Sequence, residues 1–204
     1  MLPLVAILLA ASPGPAPELL VPGVYAPDEV RVADGDAFLA LCSNRLVPVK
    51  VRVAQTARGL LEVRAPCDAV ALFRNVEGLR PGPVRSAKSR VVGGDARTSP
   101  FGPNAVELRL SGRRWVLDRV RLGSSGYRLQ LSAPREQAVL YECQSTDLAR
   151  WELLWAGGLD GDGKLDLVVD AADAQDLSEV RLHLSRGAEE AVDEAAFLRR
   201  QRAP

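Results

Sequence analysis

The chain has 204 residues, 47% hydrophobic and 25% charged, which is enough apolar content for a core and argues against wholesale disorder. Its 26 basic and 26 acidic residues cancel, which argues against a general electrostatic nucleic-acid binder. Only Lys50, Lys88 and Lys164 are lysines, and the arginine excess reads as genome composition bias rather than a phosphate-binding surface.

Residues 1–12 have the form of a secretory signal peptide. Leu2 to Ala11 is apolar and too short to span a bilayer, and Ala10-Ala11-Ser12 offers small residues for cleavage. No Lys or Arg precedes the apolar run, so the bland alternative is an apolar N-terminus from a misassigned start codon. The expectation is export, to a secreted or periplasmic location. No later apolar run reaches membrane-spanning length. Residues 13–27 are rich in Pro and Gly and read as a linker.

From residue 28 the chain alternates apolar and polar residues at period two, the mark of half-buried strands. Val30–Val32, Ala37–Cys42, Val47–Val53, Leu60–Val63 and Ala69–Phe73 form an N-terminal β region within 28–92. Pro48 cannot donate a ladder hydrogen bond and belongs near a strand start or on a sheet edge. A breaker-rich stretch from Gly78 to Pro103 contains one strand, Val84–Val92, and makes the best internal boundary. A C-terminal β region, 104–186, continues with Val106–Leu110, Trp115–Leu122, Tyr127–Leu131, Ala138–Cys143, Trp151–Trp155, Leu165–Val169 and Val180–Leu184. Only Glu189–Arg200 reads as helical, so 187–204 is expected as a helical or disordered tail. The fold class is all-β, mainly an antiparallel sandwich or bent sheet, with that one short helix.

Three cysteines suit an oxidising compartment. A Cys42–Cys67 bridge would close a loop over two strands and leave Cys143 over, either buried and inert or paired with another chain. Three buried small apolar side chains are the alternative.

Gly158-Leu-Asp-Gly-Asp-Gly-Lys-Leu-Asp166 carries the clearest chemistry. Asp160, Asp162 and Asp166 crowd a tight bend around Gly163, and hard divalent cations take six to eight oxygen ligands from such loops. The segment from Trp155 to Asp170 resembles the calcium loop of FG-GAP and VCBS-type repeats of integrin-like propellers, which reads Asp-x-Asp-x-Asp-Gly-x-x-Asp before a strand. The resemblance covers Asp160, Asp162, Gly163 and Asp166 and implies one structural Ca²⁺ held by Asp160, Asp162, Asp166 and the Lys164 carbonyl. Gly158 stands where the family has Asp, so affinity should be weak, on the order of 10⁻⁴–10⁻³ M. Asp170 or Asp173 could reach back to compensate. The motif occurs once, which argues against a whole propeller. From Tyr127 to Ser185 the chain also looks like bacterial secreted proteins that carry one such loop late in the sequence. An EF-hand fits worse: with Gly158 first, Val169 occupies the twelfth position, which needs Glu. A solvated hairpin turn is the plain alternative.

Other candidates rank lower. His183, the only histidine, falls by alternation on a polar face with Arg181 and reads as exposed or hydrogen-bonded. Cys143 with His183 has no local support as a thiol nucleophile and base. Asp147 and Glu152 could form a glycosidase carboxylate pair but read as solvated. Trp151 and Trp155, an even spacing apart, fall on one strand face, where they could hold a sugar ring or fill a core. The leading expectation is an exported, non-enzymatic β-rich protein with a structural calcium loop and an unidentified protein or glycan partner. The alternative is a hydrolase-associated or carbohydrate-binding module with a structural calcium ion.

Overall fold

A computed structural model describes residues 15–92, 104–123, 126–134, 136–144, 150–174, 176–185 and 192–201. The signal-like segment 1–12, Asp147 and the whole of 93–103 lie outside the described residues. Every regular element among the described residues is a strand, and all pairing is antiparallel. In chain order they begin with β1 (Glu18–Leu20), β2 (Gly23–Tyr25), β3 (Ala37–Cys42), β4 (Arg45–Lys50), β5 (Arg52–Gln55), β6 (Leu61–Arg64) and β7 (Ala69–Arg74). Two short segments, β8 (Gly82–Pro83) and β9 (Arg85–Ser86), lead into β10 (Lys88–Val92) and β11 (Ala105–Leu110). Then come β12 (Arg113–Leu122), β13 (Gly126–Ala133), β14 (Glu136–Cys143), β15 (Arg150–Gly158), β16 (Asp166–Ala172), β17 (Leu177–Ser185) and β18 (Val192–Gln201).

These strands form three five-stranded sheets and one of three strands. The central sheet, in the order β18-β17-β16-β15-β9, is covered by apolar residues on both faces. Its Trp155, Val168, Val180, Leu182, Leu184 and Leu198 join a core with β1-β7-β3-β4-β8 and with β2-β6-β5. Its Trp151, Leu167, Val169 and Ala171 face a second core built with β10-β11-β12-β13-β14. This layering explains why β16 is buried at every position although antiparallel strands more often keep a solvated face.

The N-terminal segment differs from the linker expected there. Leu19, Leu20 and Tyr25 are buried, β1 pairs with β7, and β2 pairs with β6. Arg74 fixes β1 by binding Glu18, with Nη2···Oε2 2.5 Å, and also holds Asp36 at 3.0 Å. Strands of three residues each are too short to leave a periodic trace. Val30–Val32 forms no strand, although Val30 is buried, and the run Val47–Val53 breaks at Val51, where the chain passes from β4 into β5 of another sheet. Pro48 is exposed on β4, beyond the two residues at which β8 pairs with that strand.

The C-terminal helix is corrected: Val192–Gln201 is β18, paired along β17. Its Ala/Glu-rich composition favours helix locally, but the exposed edge of β17 gives it a full ladder and a place for Val192, Ala196 and Leu198 in the cores. Cys42 and Cys67 form the disulfide, joining β3 to the turn before β7. Cys143 is buried outside that bond, in the second core.

Candidate metal centre

The acidic loop joins β15 to β16 in the middle of the central sheet. Both ends are anchored by apolar side chains on opposite faces: Leu159 enters the first core and Leu165 the second. Between them, Gly161 and Gly163 both have φ of +83°, a left-handed conformation that would strain any residue with a β-carbon. The aspartates fold the bend upon itself. Asp160 Oδ1 accepts from the Asp162 N–H at 3.0 Å, and Asp162 Oδ1 accepts from the Lys164 N–H at 2.8 Å. Each of these bonds engages one oxygen of its carboxylate, leaving Oδ2 outside it.

Asp166 has a different position. It is fully buried, and its two oxygens accept backbone N–H groups from either side: Leu159 at 2.6 Å and Ser185 at 3.0 Å. The Ser185 hydroxyl in turn donates to the Leu165 carbonyl. Asp166 thus ties both ends of the loop to the end of β17. Nothing local in the sequence singles out Ser185, whose part depends on pairing between β16 and β17.

Burial pushes the Asp166 carboxyl up to about 7, with the two backbone donors opposing and the charges of Asp160 and Asp162 adding to the rise. Asp160 is also raised, first by desolvation and then by the neighbouring Asp162 charge. The bend therefore concentrates negative charge that its surroundings do not fully compensate, a donor set of hard oxygens suited to a hard cation. Among the described residues, no three His, Cys, Asp or Glu side chains converge as a metal-binding group.

Gly158 and Gly157 explain two details of the motif. A β-carbon on Gly158 would lie 3.3 Å from the Lys164 carbonyl oxygen, so the position where the resembling family has Asp looks across the loop at an expected backbone ligand. A β-carbon on Gly157 would lie 2.2 Å from the Arg85 carbonyl oxygen and 2.6 Å from the Trp155 ring. Only glycine permits that approach of β9, which pairs with β15 at Gly157 and Gly158. The turn after β7 also comes close, since a β-carbon on Gly78 would be 3.5 Å from Asp160 Cβ.

The remaining candidates are not brought to this loop. Asp170 is four residues along β16 from Asp166, roughly 13 Å at the strand rise. Its carboxylate binds Arg150 at 3.2 Å, the Ser178 hydroxyl at 2.9 Å and the Glu179 N–H at 3.0 Å. Asp173 follows the far end of β16, so neither residue replaces the missing first aspartate. Trp151 and Trp155 are both buried and face opposite cores, because the register of β15 shifts between Leu153 and Trp155. The shared face expected for a sugar platform is therefore absent.

His183 is buried, not exposed on a polar face, at 3% accessibility. Burial holds its imidazole down at about 4, and its Nε2 has no hydrogen-bond partner among the described residues. Alternation separates it from Val180, Leu182 and Leu184, which face the first core, but the face it shares with Arg181 is covered rather than solvated. The Cys143–His183 pairing gains no support: Cys143 is buried in the second core, where a thiol has no access to a substrate. In comparison with known proteins, the chain matches no family model, no curated protein and no solved structure.

Proposed function

We propose that this is an exported, non-enzymatic β-rich protein whose 158–166 loop binds one structural Ca²⁺. The observation that carries this reading is the pair Asp160 and Asp162, crowded on one bend with an Oδ2 each outside its turn hydrogen bond. Those carboxylates and the Lys164 carbonyl would hold the ion. Asp166, fixed behind the loop by two backbone donors, would add its charge or a remaining lone pair. The ion would supply positive charge to neutralise the bend and secure the β15–β16 connection. The Cys42–Cys67 disulfide supports an oxidising compartment and hence export.

Binding to the folded state alone adds RT ln(1 + [Ca²⁺]/Kd), about 1.4 kcal/mol at tenfold excess. Chelator-treated protein should melt higher on adding millimolar Ca²⁺, and D162A should abolish that rise. An identical melting temperature with and without calcium overturns the reading. The carbohydrate-binding alternative loses its best candidate surface with the burial of both tryptophans.

A further inference from the structure

The outer face of the sheet β10-β11-β12-β13-β14 gathers arginines that are scattered in the sequence. Lys88 lies directly opposite Arg109, and Arg109 opposite Arg114, so three cations form a row across β10, β11 and β12. Neighbouring strands lie roughly 4.8 Å apart, which gives this row a length of about 10 Å. One step along the strands, Arg90 lies opposite Glu107. All five share the face opposite Val106, Leu108 and Leu110, which are turned into the second core.

Glu107 is the organising residue. It binds Arg109 at 2.7 Å and Arg114 at 2.9 Å, with Arg90 at 3.9 Å. The guanidinium groups cover it to 6% accessibility while their own side chains stay 62%, 61% and 75% exposed. Held by a carboxylate beneath them, the planar groups keep other N–H donors directed elsewhere. On this face Lys88, Arg90, Arg109, Arg114 and Arg128 stand against Glu107, Asp118 and Glu142, an excess of two positive charges in a chain whose net charge is zero, and Arg128 pairs with Glu142 away from the row.

The geometry points to a docking surface for an anionic polysaccharide, one whose carboxylate groups repeat along the polymer and bind the Lys88–Arg109–Arg114 row and Arg90. Charge complementarity selects the sign of the partner. The cross-strand row of cations suits a linear array of carboxylates, and arginine binds carboxylate through paired N–H donors. Calcium in the 158–166 loop is not needed for this interaction, so the two readings fail separately.

The test is binding of the full chain to polygalacturonate in chelator at low ionic strength, with dextran as the neutral polymer and duplex DNA as the competing polyanion. Binding to polygalacturonate should weaken steeply with added salt and be absent for dextran. R109Q/R114Q should lower affinity about tenfold or more. E107Q/R109Q/R114Q should lower it similarly while leaving no covered carboxylate unpaired, which separates loss of binding from loss of folding. R58A, at an exposed turn distant in sequence, should bind like the parent. No polygalacturonate binding at low salt, equal binding by the triple variant, or tighter binding to duplex DNA overturns the proposal.

Discussion

The β-carbon position of Gly158 faces the carbonyl oxygen of Lys164 across the acidic loop, 3.3 Å away. This relationship makes the departure from the calcium-loop pattern testable by gain of function. G158D restores the missing carboxylate at a site with no left-handed backbone requirement, and the Lys164 carbonyl need shift only a few tenths of an ångström. Calorimetric titration should show Ca²⁺ affinity rising about tenfold or more over the parent. Unchanged affinity would remove Gly158 from the ligand geometry.

Asp166 should matter for folding even in chelator, because its carboxylate satisfies two buried backbone donors. D166A leaves both unpaired and should cost about 2–5 kcal/mol in urea unfolding. D162A, at an exposed position, should cost less than about 1 kcal/mol under the same conditions. Equal losses for the two variants would contradict this division between clamp and ligand.

The pH dependence has two opposing contributions. The folded pKa of His183, about 4, is below its ordinary value, so the unfolded chain binds more protons between pH 6.5 and 4. Stability from this group falls as pH drops through that window, by on the order of 3 kcal/mol. The folded pKa of Asp166, about 7, is above its ordinary value, so its contribution is greatest below the unfolded pKa and is lost as pH rises toward 7. H183L should flatten the acid-side loss relative to the parent. Equal melting-temperature profiles from pH 7 to 4 would refute the assignment.

Gly157 should tolerate no side chain. G157A drives a methyl group into the Arg85 carbonyl and the Trp155 ring, so β9 must leave the central sheet or Trp155 must move. The expected loss is about 1–3 kcal/mol, read as a lower urea midpoint. An alanine variant as stable as the parent would contradict this packing.

The Cys42–Cys67 bridge closes a separation of 25 residues. Replacing both cysteines with alanine should cost roughly 3 kcal/mol, chiefly by freeing the unfolded chain. The effect should be seen in chemical unfolding, with Cys143 retained in both proteins.

Most strands could be located from period-two patterning because their side chains alternate between core and solvent. Ala37–Cys42 matches β3 exactly, while β11 to β14 were found with ends shifted by only a few residues. The failures have separate physical causes. β1 and β2 are too short for a periodic signal, and β18 is stabilised by a partner strand despite helix-favouring composition. One inserted residue in β15 sends Trp151 and Trp155 into different cores, which even spacing could not foresee.

Local chemistry alone determined the β-rich class, the cysteines able to bridge and the acidic bend with its glycines, since each depends on residues near one another in the chain. Tertiary structure alone decided that the central sheet is covered on both faces, that Ser185 helps hold Asp166, and that Glu107 collects arginines from three strands. Those outcomes arise from strand order and register, which bring together groups that no local spacing relates.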